Sequence, residues 1–293
     1  MDDHPSLLCP VCGGRTGQCG SKYSSFSGRL FSFRRCEQCS FTFVADPEVD
    51  LASVYDERYY RGEGADPLVD YVHEAENVDH TIRRFEWRGV LNVISSLIPV
   101  GPETQWLDYG CGTGGLVSYL RGHAVQHAVG HEVGWGAEFM RERGVPLLTV
   151  DDLGSARATF DVVTLIEVIE HTIDPVTELE RVHSLLKPGG LCFLTTGNAE
   201  PFRSRIPKWS YALPDVHVSY FEPGSLRVAL ERAGFTTSFP GYRSGWNDIL
   251  RFKVLKQAGR RTSGRALQLV PWGPVSRTLD RRLRVSAHPV GWA

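Results

Sequence analysis

Residues 105–115 read QWLDYGCGTGG. The apolar or aromatic Trp106, Leu107 and Tyr109 run into Gly110, Cys111, Gly112, Thr113, Gly114 and Gly115, after which Leu116, Tyr119 and Leu120 fall at helical spacing. The order is strand, glycine turn, helix. A residue without Cβ takes a positive-φ turn and lets a ligand lie against the backbone, and the helix N-terminus behind it presents free N–H groups.

Two templates fit this turn. Gly110, Gly112 and Gly115 make GxGxxG, which with an acid about 20 residues on is the dinucleotide fingerprint. Gly110, Gly112 and Gly114 make GxGxG, opened by Asp108, and in this form the turn resembles class I S-adenosylmethionine (SAM) methyltransferases. A strand-to-helix turn with no ligand also has this composition, so the flanking sequence must decide.

The totals are those of a soluble α/β protein. The 293 residues leave room for one full domain and a small appendage, and 42% hydrophobic content suffices for a core. No apolar run reaches the ~18 residues a membrane span needs, and the acidic start (Asp2, Asp3) is unlike a basic signal peptide, so the expected location is the cytoplasm. A formal charge of −2 disfavours a dedicated nucleic-acid binder. From Lys256 onward, however, eight Lys or Arg face the single acid Asp280, a basic extension open either to an anionic partner or to solvent.

Four of the seven cysteines form two knuckles, Cys9/Cys12 (CPVC) and Cys36/Cys39 (CEQC). Two CxxC pairs at this separation let four thiolates close a tetrahedral zinc site, leaving no open coordination position, so the metal's role is to fold a segment too small to hold itself together. Cys19, Cys111 and Cys192 read as small packing residues. The expected division is a zinc ribbon over 1–45, a link and N-terminal helix over 46–100, the main domain over 101–256 and the basic extension over 257–293. Tyr55, Tyr59 and Tyr60 in the link suit packing or a lid, and the apolar spacing from Val78 to Leu97 predicts one long helix over 74–97.

Beyond the turn, strands and helices alternate as in a parallel doubly wound sheet. His127–Val133 is the second strand, and Glu132 at its tip, 22 residues after Gly110, is placed to accept ribose hydroxyls. A strand over 147–150 leads to Asp151 and Asp152, one of which would accept the adenine amino group. Asp161–Val168 is an apolar strand running into Glu170 and His171, with Asp174 and Pro175 as N-cap and first residue of the next helix. Two antiparallel strands, through Phe239 and over 249–255, would close the sheet.

LDYGCGTG, the acid after the second strand, EVIEH (167–171) and LLKPGG (185–190), in this order, resemble the SAM-dependent methyltransferase superfamily. The zinc ribbon before a Tyr-rich link is similar to a bacterial subgroup acting on sugars, glycans and secondary metabolites. The resemblance spans Cys9 to about Phe235 and implies a Rossmann-like, seven-stranded sheet. It places SAM among Asp108, Gly110, Cys111, Gly112, Gly114, Glu132, Asp151, Asp152 and Glu167. It implies methyl transfer to oxygen, with a small-molecule, sugar or phenolic acceptor expected.

Two chemistries suit Glu167, Glu170, His171 and the later His217. A histidine takes the acceptor's proton with a carboxylate orienting it, or all four hold a divalent ion such as Mg or Mn that acidifies the acceptor hydroxyl. EVIEH is similar to the metal-binding motif of ubiquinone-biosynthesis O-methyltransferases and of enzymes that methylate the 2′-hydroxyl at small-RNA 3′ ends. The chain departs from the RNA enzymes at Gly197, where a proline is usual, and in having one later histidine, which counts against RNA. Alternatively Glu170 and His171 merely cap the next helix, and the chain is a SAM-binding scaffold without turnover. Trp209, Tyr211 and Tyr220 would stack on a flat acceptor or pack their own loop.

Overall fold

The computed structural model describes residues 8–47, 54–67, 69–239, 245–262, 270–275, 278 and 290–292. Strands Thr16–Tyr23 (β1), Leu30–Cys36 (β2) and Thr42–Val44 (β3) form an antiparallel ribbon. Helices Glu57–Tyr60 (α1), Tyr71–Glu76 (α2) and Arg83–Ser95 (α3) follow. Then come Trp106–Tyr109 (β4), Gly115–His123 (α4), Ala128–His131 (β5), Gly134–Glu142 (α5), Leu147–Leu148 (β6), Val150–Ser155 (α6), Phe160–Ile166 (β7), Pro175–Leu185 (α7) and Leu186–Thr195 (β8). Ser219–Tyr220 (β9), Pro223–Arg232 (α8), Thr236–Ser238 (β10), Trp246–Gln257 (α9) and Val290–Trp292 (β11) complete the order.

The large sheet runs β10-β11-β8-β7-β4-β5-β6, its five strands from β8 to β6 parallel and β11 antiparallel to both neighbours. This is the expected doubly wound sheet. Successive strand residues enter opposite layers: Leu107 and Val163 join Leu179 and Val182 of α7, while Trp106 and Val162 join Val90 of α3 and Leu116 of α4. The α7 helix starts as read, with Asp174 accepting from the Thr177 amide at 3.2 Å and Pro175 in its first turn.

Three expectations change. The long helix breaks between Glu76 and Arg83: Thr81 bridges to Thr262, and the Ile82 amide donates to the Arg261 carbonyl at 3.0 Å instead of continuing a helical ladder. Residues 249–255 are helical, within α9, rather than a strand. Gly89 and Gly245 allow this helix to lie on α3; a Cβ on Gly89 would meet Ile249 at 2.6 Å and the Gly245 carbonyl at 2.8 Å. The antiparallel strand that completes the sheet is instead β11, from the stretch read as a separate extension. Most of that basic stretch lies outside the described residues.

The ribbon is built into the main domain. Thr42 and Phe43 of β3 pair with Tyr220 and Ser219 of β9, and the Val44 amide donates to the Val218 carbonyl at 2.9 Å. Lys22 donates to the Trp209 and Ala212 carbonyls at 3.2 and 2.7 Å, and Ser24 to Asp215. Cys9, Cys36 and Phe41 share one core with Leu107, Ile169 and Phe221. The four ribbon cysteines form a group able to hold a metal ion, with Sγ separations of 3.6 Å (Cys9–Cys39) and 3.4 Å (Cys12–Cys36), near the ~3.8 Å expected for thiolates ~2.3 Å from a tetrahedral zinc. The Gln38 and Cys39 amides point at the Cys36 sulfur.

We expect one zinc per chain, lost in Cys36→Ser. Stripping the metal should speed amide exchange both in the ribbon and at residues 216–221. Exchange that quickens in the ribbon while 216–221 stays protected would show that the two do not depend on each other.

Candidate functional site

A cavity of about 690 Å³ opens at the carboxyl ends of the parallel strands, between the glycine turn, α1 to α3, and the tips of β5 and β7. The turn is fastened below, where the Thr113 hydroxyl donates to the Tyr71 carbonyl at 3.0 Å. Gly112 sits at φ +58°, and a Cβ there would meet nothing closer than the rings of Tyr60 and Tyr71 at 3.9 Å. Glycine keeps that space clear. Gly110 and Gly114 also hold positive φ, and the cavity wall includes Gly110 and Cys111. The Cys111 sulfur packs against Met140 at 3.3 Å.

Glu132 follows β5, as expected. Its carboxylate accepts from the Gly112 amide at 2.7 Å and the Val133 amide at 2.9 Å, which fixes it at the cavity wall with lone pairs to spare. Burial pushes its pKa up to about 7 despite those amides. Asp108 is buried, held by the Thr164 hydroxyl at 2.7 Å, and burial raises it to about 7 as well. These features suit SAM, with hydroxyl donors meeting Glu132 and a cationic centre meeting an acid-lined cavity.

The structure does not bring Asp151 and Asp152 to this cavity. Both are exposed in the first turn of α6, and Asp152 is committed to a capping box, accepting from the Thr149 amide and hydroxyl at 3.0 and 2.7 Å. The strand expected over 147–150 ends at Leu148 because that cap starts the helix.

At the tip of β7, Glu167 has φ +56°, a strained backbone for a residue with a side chain. Lys253 of α9 pairs with its Oε1 at 3.0 Å, and the Tyr211 hydroxyl meets its Oε2 at 2.9 Å. The same hydroxyl meets Oε1 of Glu170, which is fully buried and whose Oε2 has no partner. Burial and the neighbouring Glu167 lift Glu170 to about 8. His171 Nδ1 lies 2.9 Å from the Val216 carbonyl and 2.7 Å from the Tyr55 hydroxyl; His217 Nδ1 lies 2.6 Å from the Tyr211 carbonyl. A carbonyl only accepts, so each Nδ1 carries the proton and each Nε2 keeps a lone pair. Burial lowers both imidazoles, His217 to about 3 with help from His171, so both are neutral at pH 7.

One ligand atom from each of Glu170, His171 and His217 lies within 4.8 Å of the others, so the sequence-predicted cluster is brought together. Only Glu167 and His171 of the four line the cavity. The aromatic loop packs on itself: Trp209 stacks on Phe202 and Tyr211, and Tyr220 is buried with its hydroxyl donating to the His217 carbonyl. A Cβ on Gly197 would meet the Tyr211 ring at 2.4 Å. Sequence reasoning missed Arg83, Glu86 and Tyr71 at the wall. Their signal was present, since Arg83 and Glu86 are charges within the apolar stripe of a helix.

A family described as a methyltransferase domain matches residues 54–238. The chain belongs to this methyltransferase family. Among curated relatives, ubiquinone biosynthesis O-methyltransferases from Ruegeria pomeroyi and Parvibaculum lavamentivorans are 38% and 37% identical over 104 and 105 residues, 32% and 33% of this chain. The chain spans about two-fifths of the length of those relatives (42% and 41%). Among solved structures, a Thermotoga maritima SAM-dependent methyltransferase, described as a possible histamine N-methyltransferase, aligns at 23% identity over 58% of this chain and 81% of that one, with TM-score 0.43. A Haemonchus contortus phosphoethanolamine N-methyltransferase bound to SAM aligns at 14% identity over 81% and 58%, with TM-score 0.48.

If Glu132 receives the ribose hydroxyls, its raised pKa predicts a pH dependence of cofactor binding. Protonation removes the acceptor that ribose hydroxyls need, so affinity for S-adenosylhomocysteine should be full above pH 7 and fall as pH drops through 7 toward 6. Calorimetry on the wild type and Glu132→Gln checks this: the variant should bind at least tenfold more weakly at pH 8 and show a flatter profile.

Proposed function

We propose that this chain transfers a methyl group from SAM to a hydroxyl oxygen of a small neutral acceptor, a sugar or a phenol, with His171 as general base. The supporting observation is that His171 and Glu167 stand on the wall of the same cavity as Glu132 and Gly112. SAM supplies an electrophilic methyl on a sulfonium. His171 offers Nε2 as the proton acceptor, because the Val216 carbonyl holds its other nitrogen. Glu167, fixed by Lys253 and Tyr211, stabilises the imidazolium that forms.

The cavity wall disfavours polyanions. Eight Asp or Glu side chains line it, against one arginine, among the described residues. A phosphate-rich RNA end would enter that field at a cost, whereas a neutral hydroxyl would not. The name of the ubiquinone-pathway relatives is consistent with an oxygen acceptor. The reading divides the chain into a zinc ribbon over 1–45, entry helices over 46–100 and a transfer domain from 101 that also takes in β11.

A second reading has its own support. Glu170, His171 and His217 could hold a divalent ion, given their proximity and the unpartnered Glu170 Oε2. Against it, Glu167 is already held by Lys253 and Tyr211, and neither Glu170 nor His217 lines the cavity.

Methyl-labelled SAM supplied with the protein and a small-molecule extract of the source cell should label neutral hydroxyl compounds. His171→Asn should lower the rate by about 10²–10⁴-fold with little change in S-adenosylhomocysteine affinity. Transfer should survive a chelator mild enough to leave the ribbon's zinc in place. Label in RNA, or loss of transfer on chelation, would overturn the metal-free reading; protein that binds cofactor but labels no pool would favour the scaffold.

A further inference from the structure

One part of the cavity wall is ionic. Arg83 of α3 is buried there between two carboxylates, its Nε 2.9 Å from Glu74 Oε2 and its Nη1 2.6 Å from Glu86 Oε2. All three line the cavity beside Trp87, Thr113 and Leu116. Two acids share this one arginine, and Lys253 and Lys256 stand close enough to act on Glu86 electrostatically. Lys253 is committed to Glu167, and Lys256 lies in a separate recess behind Glu74. Glu86 is 1% exposed, and its Oε1 is a buried carboxylate oxygen with no hydrogen-bond partner. A native structure rarely leaves such an atom orphaned unless a ligand completes it.

Resting on the SAM reading above, we infer that Glu86 receives the α-ammonium group at the methionine end of the cofactor, with Arg83 taking the adjoining carboxylate. If ribose lies on Glu132, the two arms of the cofactor leave in opposite directions. The Val133, Trp135 and Glu138 end has apolar and aromatic surface for a flat base, while the Arg83–Glu86 end is an ion pair. The amino-acid arm is the zwitterionic part of the molecule, and its two charges match a guanidinium beside a carboxylate in the reverse sense. Glu86 is therefore a binding residue that distinguishes cofactor and product from nucleosides lacking the amino-acid arm.

Calorimetric titration of the full chain with two probes tests this. S-Adenosylhomocysteine carries the amino-acid arm; 5′-methylthioadenosine ends at the thioether. Glu86→Gln should weaken S-adenosylhomocysteine about 10- to 100-fold, the range for a hydrogen bond to a charged group, and leave methylthioadenosine within about twofold. An equal loss for both probes, or no loss for either, overturns the assignment. A thermal melt of the variant checks folding. The same contact can be probed without a variant: wild-type protein should bind the deaminated analogue of S-adenosylhomocysteine at least tenfold more weakly than the parent, and equal affinity overturns the inference. Wild-type protein that binds none of the three probes would instead bring down the SAM reading itself.

Discussion

The pairing of β3 with β9 is the contact on which the candidate site depends. Ser219–Tyr220 is a two-residue strand, and so short an element has too few hydrogen bonds to persist unless an adjacent sheet supplies a partner. The ribbon supplies it, and adds Lys22 and Ser24 as clamps on the preceding loop. That loop carries Tyr211 and His217, and Tyr211 in turn ties Glu167 to Glu170. A segment whose four cysteines could hold a metal thus fixes side chains at the tip of a strand far from it in sequence. The ribbon's packing into the same core as Leu107 and Ile169 makes the link a shared interior rather than a tether.

Electrostatics imposes the second constraint. Carboxylates in a cavity lose hydration, and at Glu132 and Asp108 the structure answers with neutral donors: amides for the first and a threonine hydroxyl for the second. Neutral donors stabilise an anion without cancelling its field. The cavity therefore remains negative, a preorganised environment for a sulfonium cation that water would otherwise have to solvate. Cations paired with every acid would have given a more stable apo protein and a poorer cofactor site.

Local pattern carried the parts of the fold that depend on local physics. The glycine turn, the acid after β5, the Asp174–Pro175 helix start and the paired CxxC knuckles were legible because turn geometry, capping and metal chemistry act within a few residues. What failed was set by contacts distant in sequence. The helix break at Asn77–Ile82 is imposed by Arg261 and Thr262, and β11 reaches β8 from nearly a hundred residues away. Residues 249–255 (ILRFKVL) read as a strand, but they are helical, with Ile249, Leu250, Phe252 and Leu255 buried among residues of α3. Trp209 and Tyr211 were open to acceptor stacking or to packing their own loop, and the structure has the packing: they stack on one another, with Gly197 leaving room for the tyrosine ring.

His171 shows how these constraints converge on one atom. Its Nδ1 is approached by the Val216 carbonyl, from the loop the ribbon secures, and by the Tyr55 hydroxyl, from the tyrosine-rich link that forms the cavity's other side. Each contact alone would leave the ring free to turn about the remaining direction. Together they fix both its tautomer and its plane, so that the orientation of Nε2 depends on the ribbon being folded and on the link being closed over the cavity. On the proposed reading, a base placed in this way is competent only when the cavity is walled on both sides, which is also the condition that would keep water from a transferring methyl group.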